Sequence, residues 1–144
     1  MLYYLDTVVV VYVVEGNPAD QQRALNHLAA LEQAGHGFAI SELTRAECLV
    51  PLFGPNEGQR LSDFFRFFHA TNLRTVPLTA ATHSRASAIR GACAYPAAQP
   101  TAPKRYGLAD AIHLAAAIET GCDVFLTNDN QLANFLDITV EVLP

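Results

Sequence analysis

Short apolar blocks and longer segments with helical spacing alternate along this chain. Blocks bounded by turn-forming residues predict five strands, at residues 2–5, 38–40, 73–76, 124–126 and 138–142. Apolar positions three and four apart predict helices at residues 8–14, 18–34, 43–50, 56–70, 79–93 and 109–118, with a short one between Asp129 and Leu136. A helix between two strands returns the chain so that both strands run in the same direction. The pattern therefore predicts an α/β fold around a central, mostly parallel sheet.

The run of residues 8–14, VVVVYVV, is β-branched almost throughout. Propensity alone would use it to lengthen the first strand. However, Asp6 and Thr7 offer a helix cap directly before it, and the Glu-Gly-Asn-Pro sequence at residues 15–18 stops it. We therefore expect a short buried helix at this place.

Length, charge and cysteine content exclude several classes of protein. A chain of 144 residues is long enough for one domain with a core, so we expect residues 1–144 to form a single domain. A net charge of −5 argues against a broad nucleic-acid-binding surface but is compatible with a narrow basic groove. Cys48, Cys93 and Cys122 are scattered without a C-x-x-C motif, which predicts neither a disulfide framework nor a zinc site. The apolar run 8–14 is too short to span a membrane and follows no basic residue, so we expect a cytoplasmic protein without a membrane partner.

One acid lies on the apolar face of a predicted helix. In helix 43–50 that face is formed by Leu43, Ala46 and Val50, and helical spacing places Glu47 on the same face. A carboxylate directed at a core is unfavourable unless a partner compensates its charge. This position indicates a functional role for Glu47.

Three further acids stand where predicted strands end or a helix begins. Asp6 ends the first strand, Asp110 lies in the first turn of helix 109–118, and Asp129 follows strand 124–126. Taken alone, Asp110 would be a helix cap and Asp129 a turn residue. Because the ends of parallel strands and the starts of the following helices meet at one edge of a sheet, all three are expected to gather there with Glu47.

Four neighbouring carboxylates repel one another unless they are protonated or neutralised by a cation. Oxygen ligands without a cluster of His or Cys select a hard divalent ion, Mg²⁺ or Mn²⁺. Such a site usually serves phosphate chemistry, in which the metal activates a bound water and offsets charge on the phosphoryl oxygens. His113, three residues after Asp110, is interpreted as a helix-packing residue rather than a ligand.

Three motifs carry a resemblance to a known family. They are YLDT at residues 4–7, SELTRAE at 41–47 and GLADAIHLAAAIETGCDVFLTND at 107–129. In this order they resemble PIN-domain nucleases, specifically the VapC-type toxins of bacterial toxin–antitoxin pairs, over essentially the whole chain. The resemblance implies a three-layer α/β/α PIN-like fold, Mg²⁺- or Mn²⁺-dependent endoribonuclease activity, homodimerisation, and a cognate antitoxin whose tail covers the active site.

The same resemblance assigns roles to individual residues. The acidic residues of the family correspond here to Asp6, Glu47, Asp110 and Asp129. Polar residues beside these acids, Thr7, Thr127 and Asn128, are implied to orient the metal ligands. The chain departs from the family pattern at Val8, where Ser or Asn is common.

Two other functions stay open. A PIN-like module that binds RNA or an antitoxin without cutting has Val8 as its only support in the sequence, and all four acids argue against it. The other is a small phosphotransfer protein, either a receiver-like domain or a phosphatase with an Asp nucleophile. A receiver-like domain needs a lysine at a strand end, whereas the sole lysine, Lys104, lies in a proline-rich segment. Position 8 also lacks the acid that an Asp-nucleophile phosphatase would use.

Cations and one aromatic residue close to the acids are the candidate RNA contacts. Arg45 precedes Glu47 by two residues, and a predicted loop at 94–105 delivers Lys104 and Arg105 just before the Asp110 helix. We expect these three cations to hold the RNA backbone and the adjacent Tyr106 to stack on a base.

A candidate interface lies on helix 56–70. Its predicted buried stripe consists of Leu61, Phe64, Phe65 and Phe68. Arg66 and Phe67 fall outside this stripe, and Arg and aromatic residues are favoured interface anchors. We therefore predict that Arg66 and Phe67 contact an antitoxin or a second protomer.

Overall fold

The computed structural model describes residues 1–94 and 106–144. Its strands are β1 (Leu2–Leu5), β2 (Gly37–Ser41), β3 (Leu73–Val76), β4 (Val124–Thr127) and β5 (Thr139–Val142). Its α-helices are α1 (Thr7–Glu15), α2 (Pro18–Gln33), α3 (Glu42–Leu49), α4 (Gly58–Phe68), α5 (Ala80–Ala94) and α6 (Leu108–Glu119). Two short 3₁₀ helices occupy Val50–Phe53 and Leu132–Asn134.

All five strands are parallel, in the order β3-β2-β1-β4-β5. The chain first builds the sheet outwards from β1 through β2 to β3, and then returns to the other side of β1 for β4 and β5. The direction of winding therefore reverses between β1 and β4. In open α/β sheets a crevice forms at the carboxyl ends of the strands at this reversal, and ligands bind in it.

Helices cover both faces of the sheet, as the predicted three-layer α/β/α fold requires. Because side chains alternate along a strand, Tyr4 of β1 faces one layer while Tyr3 and Leu5 face the other. Tyr4 belongs to the core formed with α5 and α6, and its ring stacks on Phe125 of β4 at 5.3 Å between centroids. Tyr3 and Leu5 belong to the core formed with α1, α2, α3 and α4. The fold prediction is confirmed.

The β-branched run forms helix α1, as predicted. Asp6 is its N-cap, and the Asp6 carboxylate accepts a hydrogen bond from the Thr7 backbone N–H at 2.7 Å. Val9 and Val10 are fully buried against the sheet. At the other end a Cβ on Gly16 would lie 2.6 Å from the Tyr12 carbonyl oxygen, so glycine allows the chain to leave the helix at this point. Capping and burial together override the strand propensity of valine.

Most predicted helices differ from the structure by one or two residues at their ends, and three of the differences change the local geometry. Helix α3 ends at Leu49, and the chain continues through Pro51 as a 3₁₀ turn instead of stopping there. Asn56 has a φ of 67°, outside the helical region, so α4 begins only at Gly58. The helix predicted between Asp129 and Leu136 is a single 3₁₀ turn. The predicted loop lies almost wholly in residues 95–105, outside the described residues.

The interpretation of Phe67 as lying outside the stripe of α4 is wrong. Phe67 is half-buried and packs against the core beneath the helix, whereas Phe65 is 38% exposed. At 100° per residue, Phe65 and Phe67 flank the stripe on opposite sides, roughly 65–95° from its centre. The helical spacing alone therefore does not decide which of the two is buried. Arg66 is exposed and lies 3.6 Å from Asp63 on the same helix. The contact predicted for Arg66 and Phe67 with another chain stays a prediction.

The described cysteines are free and buried. Burial raises the pKa of the Cys48 thiol to about 12, and it also raises that of Cys122. A thiol that stays protonated is neither a nucleophile nor a metal ligand. Within residues 1–94 and 106–144, no helix is both long and apolar enough to cross a membrane.

Candidate active site

A cavity of about 810 Å³ opens at the carboxyl edge of the sheet, at the β1–β4 reversal. The acids predicted from the sequence all line it: Asp6, Glu47, Asp110 and Asp129. Asp6 ends β1, Asp129 follows β4, and Glu47 and Asp110 approach on α3 and α6. The fold thus brings together carboxylates that are up to 123 residues apart in the sequence.

Asp6 is held at the base of this cavity. Its Oδ1 accepts from the Thr7 N–H, and its Oδ2 accepts from the Thr127 hydroxyl at 2.6 Å. Burial raises the pKa of the Asp6 carboxyl, and the nearby charge of Asp110 adds to the increase, while the Thr127 hydrogen bond and His113 oppose it. The ionised form of Asp6 is therefore destabilised in the absence of a neutralising cation.

Glu47 has the opposite electrostatic environment. Its Oε2 accepts from the Thr7 hydroxyl at 2.5 Å and lies 2.8 Å from His113 Nε2. The His113 hydrogen bond, helped by Thr7 and opposed by burial, lowers the pKa of the Glu47 carboxyl. Glu47 is therefore held as a carboxylate.

Backbone amides hold the remaining two acids. Asp110 Oδ2 accepts from the Gly107 N–H at 2.9 Å, at the start of α6. Asp129 Oδ1 accepts from the Gln131 N–H at 2.8 Å, while the Asp129 N–H donates to the Thr127 hydroxyl at 3.0 Å. Thr127 therefore links the ends of β1 and β4, because its hydroxyl contacts both Asp6 and Asp129.

The four acids match a hard divalent cation in the type of their donor atoms, which are all carboxylate oxygens. Their spacing is more open than the sequence prediction assumed. Across the described residues, no three His, Cys, Asp or Glu side chains converge closely enough to hold a metal ion. Each acid is held by its own hydrogen bonds, some of them from shared neighbours: Thr7 contacts Asp6 and Glu47, and Thr127 contacts Asp6 and Asp129.

The family model for the PIN domain matches residues 3–136 of the chain. This protein belongs to the PIN domain family. No curated protein sequence matches it.

Solved structures show the same fold. A chain of the VapBC2 structure from Rickettsia felis, bound to a DNA fragment from its promoter, is 20% identical, with both chains covered completely and a TM-score of 0.75. A chain of DNA-bound VapBC from Salmonella typhimurium is 18% identical, again with complete coverage of both chains, and has a TM-score of 0.74. Mycobacterium tuberculosis VapC20, a toxin that cleaves the sarcin-ricin loop, is 14% identical over 94% of this chain and 98% of its own, with a TM-score of 0.63.

Asn128 connects the cavity of this PIN domain to a cation that the sequence prediction missed. The Asn128 side chain accepts from Arg23 at 3.1 Å and donates to the Tyr12 hydroxyl at 3.2 Å. Arg23 also lies over the Tyr12 ring and pairs with Asp20. In the sequence Arg23 sits on the polar side of an amphipathic helix, where an arginine is ordinary, so only the folded chain associates it with the site.

The cations predicted to contact RNA are described by the structure only in part. Arg45 lies over the Phe68 ring, 5.2 Å from its centroid, and 3.9 Å from Glu42. It does not line the cavity. Lys104 and Arg105 lie outside the described residues. Arg45 is therefore not placed at the acids, and the RNA contact of Lys104 and Arg105 stays a prediction.

Tyr106 was predicted to stack on a base, and this prediction is wrong. The side chain is only 3% exposed and packs edge-to-face on Phe135 at 5.8 Å. It belongs to the core between α6 and the sheet. Its preceding neighbours in the sequence, Lys104 and Arg105, are basic, but Tyr106 itself is buried just before α6 begins.

The two perturbed acids should affect the stability of the PIN domain in opposite directions as the pH changes. The pKa of the Asp6 carboxyl is higher in the folded state than in the unfolded state. Asp6 therefore favours the folded state at low pH, and this contribution to stability is lost as the pH rises through the raised pKa. The folded state lowers the pKa of Glu47, so the contribution of Glu47 is present at neutral pH and is lost as the pH falls through the lowered value. Asp6→Asn should be as stable as the parent or more stable at pH 7, and Glu47→Gln less stable by about 1 kcal/mol.

Urea unfolding in metal-free buffer at pH 7 and pH 4 measures both effects. The gain of Asp6→Asn and the deficit of Glu47→Gln should each shrink at the lower pH, where the parent carboxyls take up protons. If both variants are less stable than the parent at pH 7, the opposite electrostatic environments of Asp6 and Glu47 are contradicted.

Proposed function

We propose that this PIN domain, spanning residues 1–144, is a VapC-type toxin: a Mg²⁺- or Mn²⁺-dependent endoribonuclease that hydrolyses RNA phosphodiester bonds. The observation that carries the proposal is that one cavity, at the β1–β4 reversal of a PIN fold, is lined by Asp6, Glu47, Asp110 and Asp129. An acidic cavity by itself repels a phosphodiester. For the cavity to bind RNA, a cation must therefore lie between the carboxylates and the substrate.

Asp6, Glu47, Asp110 and Asp129 would hold that cation. When bound, a divalent ion supplies a water of lowered pKa and neutralises negative charge on the phosphoryl oxygens. The chain's own contribution is orientation: Thr127 holds Asp6 and the amide of Asp129, and Thr7 holds Glu47. Asp6 in particular has reason to bind a cation, because burial disfavours its bare charge.

A cognate antitoxin and a second copy of the chain are the proposed protein partners. The solved relatives from Rickettsia felis and Salmonella typhimurium are VapBC assemblies bound to DNA. The Mycobacterium tuberculosis relative is a toxin that cleaves the sarcin-ricin loop. These proteins support, for this chain, a toxin that is held by an antitoxin and that acts on RNA.

The direct test is cleavage of a mixed RNA pool by the purified protein. We expect fragments with millimolar Mg²⁺ or Mn²⁺ and intact RNA with excess chelator. A DNA pool of matched length controls for general phosphodiester hydrolysis. Intact RNA at millimolar Mn²⁺, from protein that is folded and free of antitoxin, would contradict the nuclease proposal.

A second candidate function is a PIN-like module that binds RNA or antitoxin with little cutting. It is favoured by Val8, which lines the cavity at a position where a polar side chain is common in the family, and by the open spacing of the acids. RNA binding in a gel-shift assay with Mn²⁺, without fragments after long incubation, would select this function over the nuclease.

A further inference from the structure

His113 is buried beside the acids and hydrogen-bonded at both ring nitrogens. It is 2% exposed and lies on α6, one turn after Asp110. Its Nε2 is 2.8 Å from Glu47 Oε2 and 3.3 Å from the Thr7 hydroxyl. Its Nδ1 is 2.8 Å from the Tyr4 hydroxyl. A packing role alone would be served by an apolar side chain, so the interpretation of His113 as a helix-packing residue is incomplete.

The chain of hydrogen bonds continues behind His113. The Tyr4 hydroxyl donates to Ser41 Oγ at 2.7 Å, and both residues are fully buried. Ser41 is the N-cap of α3, the helix that carries Glu47. The connection therefore starts at the beginning of α3, passes through β1 and α6, and returns to α3 at Glu47. Three elements of the site are tied together by polar contacts that are buried from Ser41 to His113, while the Glu47 side chain at the end of the connection is 33% exposed.

The direction of one bond follows from the chemistry of its partners. A carboxylate only accepts hydrogen bonds, so the Nε2 atom carries the hydrogen and donates it to Glu47. The Thr7 hydroxyl donates to the same oxygen, Oε2. Two donors from two different elements converge on one oxygen and thereby fix the torsions of a long side chain that would otherwise adopt several rotamers.

We propose that His113 and Tyr4 are positioning residues, which hold the Glu47 carboxylate in its orientation towards the cavity. Tyr4 acts through His113: its hydroxyl sets the orientation of the imidazole, and its ring is fixed by stacking on Phe125. The expected effects of this role on metal binding and RNA cleavage rest on the proposed function. The orientation of Glu47 itself can be tested without either.

Two variants remove the support in different ways. Tyr4→Phe deletes one hydroxyl and keeps the ring, and His113→Leu removes the donor to Glu47. His113→Gln is the conservative variant, because its amide can place an N–H near the position of Nε2. His69→Leu, at an exposed histidine of the same protein, is the matched control.

The expected result is weaker Mn²⁺ binding by calorimetry in the absence of RNA. Loss of a residue that orients a ligand typically weakens metal affinity or activity by about 10- to 100-fold, and we expect this range for His113→Leu and a smaller effect for Tyr4→Phe. The loss in cleavage should fall on kcat, with KM for RNA unchanged. His113→Gln should recover most of the affinity, and His69→Leu should match the parent.

A double-variant cycle with Glu47→Gln separates positioning from direct ligation. If His113 acts through Glu47, His113→Leu should cause little further loss once Glu47 has been replaced. An undiminished further loss would overturn the proposal, because it would mean that His113 contacts the metal or acts by packing alone. Equal Mn²⁺ affinity of the parent, His113→Leu and Tyr4→Phe would also overturn it.

Crystal structures of the two variants test the geometry independently of the proposed function. We expect the Glu47 carboxylate to leave its position in His113→Leu, or in Tyr4→Phe should the first variant not fold. A carboxylate that keeps its place in Tyr4→Phe and His113→Leu overturns the positioning role even if the parent binds no Mn²⁺. Absence of Mn²⁺ binding by the parent, with displacement of Glu47 in the variants, would instead remove the metal-dependent function and leave the positioning role standing.

Discussion

Asp129→Asn should reduce metal-dependent RNA cleavage on the order of 100-fold or more while leaving the fold intact, as for other single electrostatic contacts to a reacting group. The substitution removes one anionic oxygen ligand, but the Asn side-chain oxygen can still accept from the Gln131 N–H. Removing one negative charge from a cavity lined by four acids relieves repulsion among them, so the metal-free variant should melt at the parent temperature or above it. Asp6→Asn should behave in the same way.

Metal-linked stability gives this prediction a second readout. An ion that binds only the folded state at a hundred times its Kd stabilises the parent by about 2.7 kcal/mol, which corresponds to a rise in Tm of roughly 5–10 °C at this chain length. Asp129→Asn and Asp6→Asn should show a much smaller rise with Mn²⁺. Asp137→Asn, which removes an exposed acid outside the cavity, is the matched control and should keep both the rise and the cleavage. Asn variants that cut RNA as well as the parent would show that the acids are not the site.

Phe125→Ala should be the most destabilising of the substitutions considered, by about 3–5 kcal/mol. Phe125 has no exposed surface, lies on a strand with neighbours on both sides, and stacks on Tyr4 at an interplanar angle of 11°. Its removal leaves a cavity between the sheet and α6 and withdraws the ring that supports Tyr4. Urea unfolding at pH 7 measures the loss, and thermal melting should show a fall in Tm of roughly 10 °C or more.

Phe53→Ala is the matched control for this core substitution. Phe53 is 88% exposed on the 3₁₀ turn after α3, so the same change of side chain should alter the stability by no more than about 0.5 kcal/mol. Similar losses for Phe53→Ala and Phe125→Ala would contradict the assignment of the core between β4 and α6.

The elements and the gathering of the acids were predictable because two simple regularities govern them. Buried parallel strands are apolar on both faces, so Leu2–Leu5 and Val124–Thr127 stand out as short apolar blocks. Parallel strands also end at a common edge, so Asp6 and Asp129, each placed directly after such a block, had to lie near one another. These arguments need only the direction of the strands, not the details of packing.

Side-chain orientation was less predictable. Phe65 and Phe67 flank the stripe of α4 almost symmetrically, and the choice between them depends on where α1, α2 and the sheet lie. Tyr106 follows basic residues and looks exposed, but the position of Phe135 on another segment determines its burial. Such outcomes depend on tertiary contacts that the local pattern does not contain.

Polar networks were the least predictable part of the candidate site. His113 lies on an apolar helix and Arg23 on an amphipathic one, and each occurs where its residue type is unremarkable. The contacts that distinguish them join residues far apart in the chain: His113 with Tyr4 and Arg23 with Asn128. A pair of this kind leaves no periodic signal in a single sequence.

The pairing of β1 with β4 has a consequence for the order in which the site is assembled during synthesis. The Thr127–Asp6 hydrogen bond joins residues 121 positions apart, and β1 gains its second neighbour in the sheet only when β4 arrives. Contacts of such separation form late, since a long loop must close first. A chain still on the ribosome therefore carries Asp6 and Glu47 well before Thr127 and Asp129 have been translated. On the proposed function, a nascent polypeptide is harmless to its own messenger RNA until the segment that carries Thr127 and Asp129 has been synthesised.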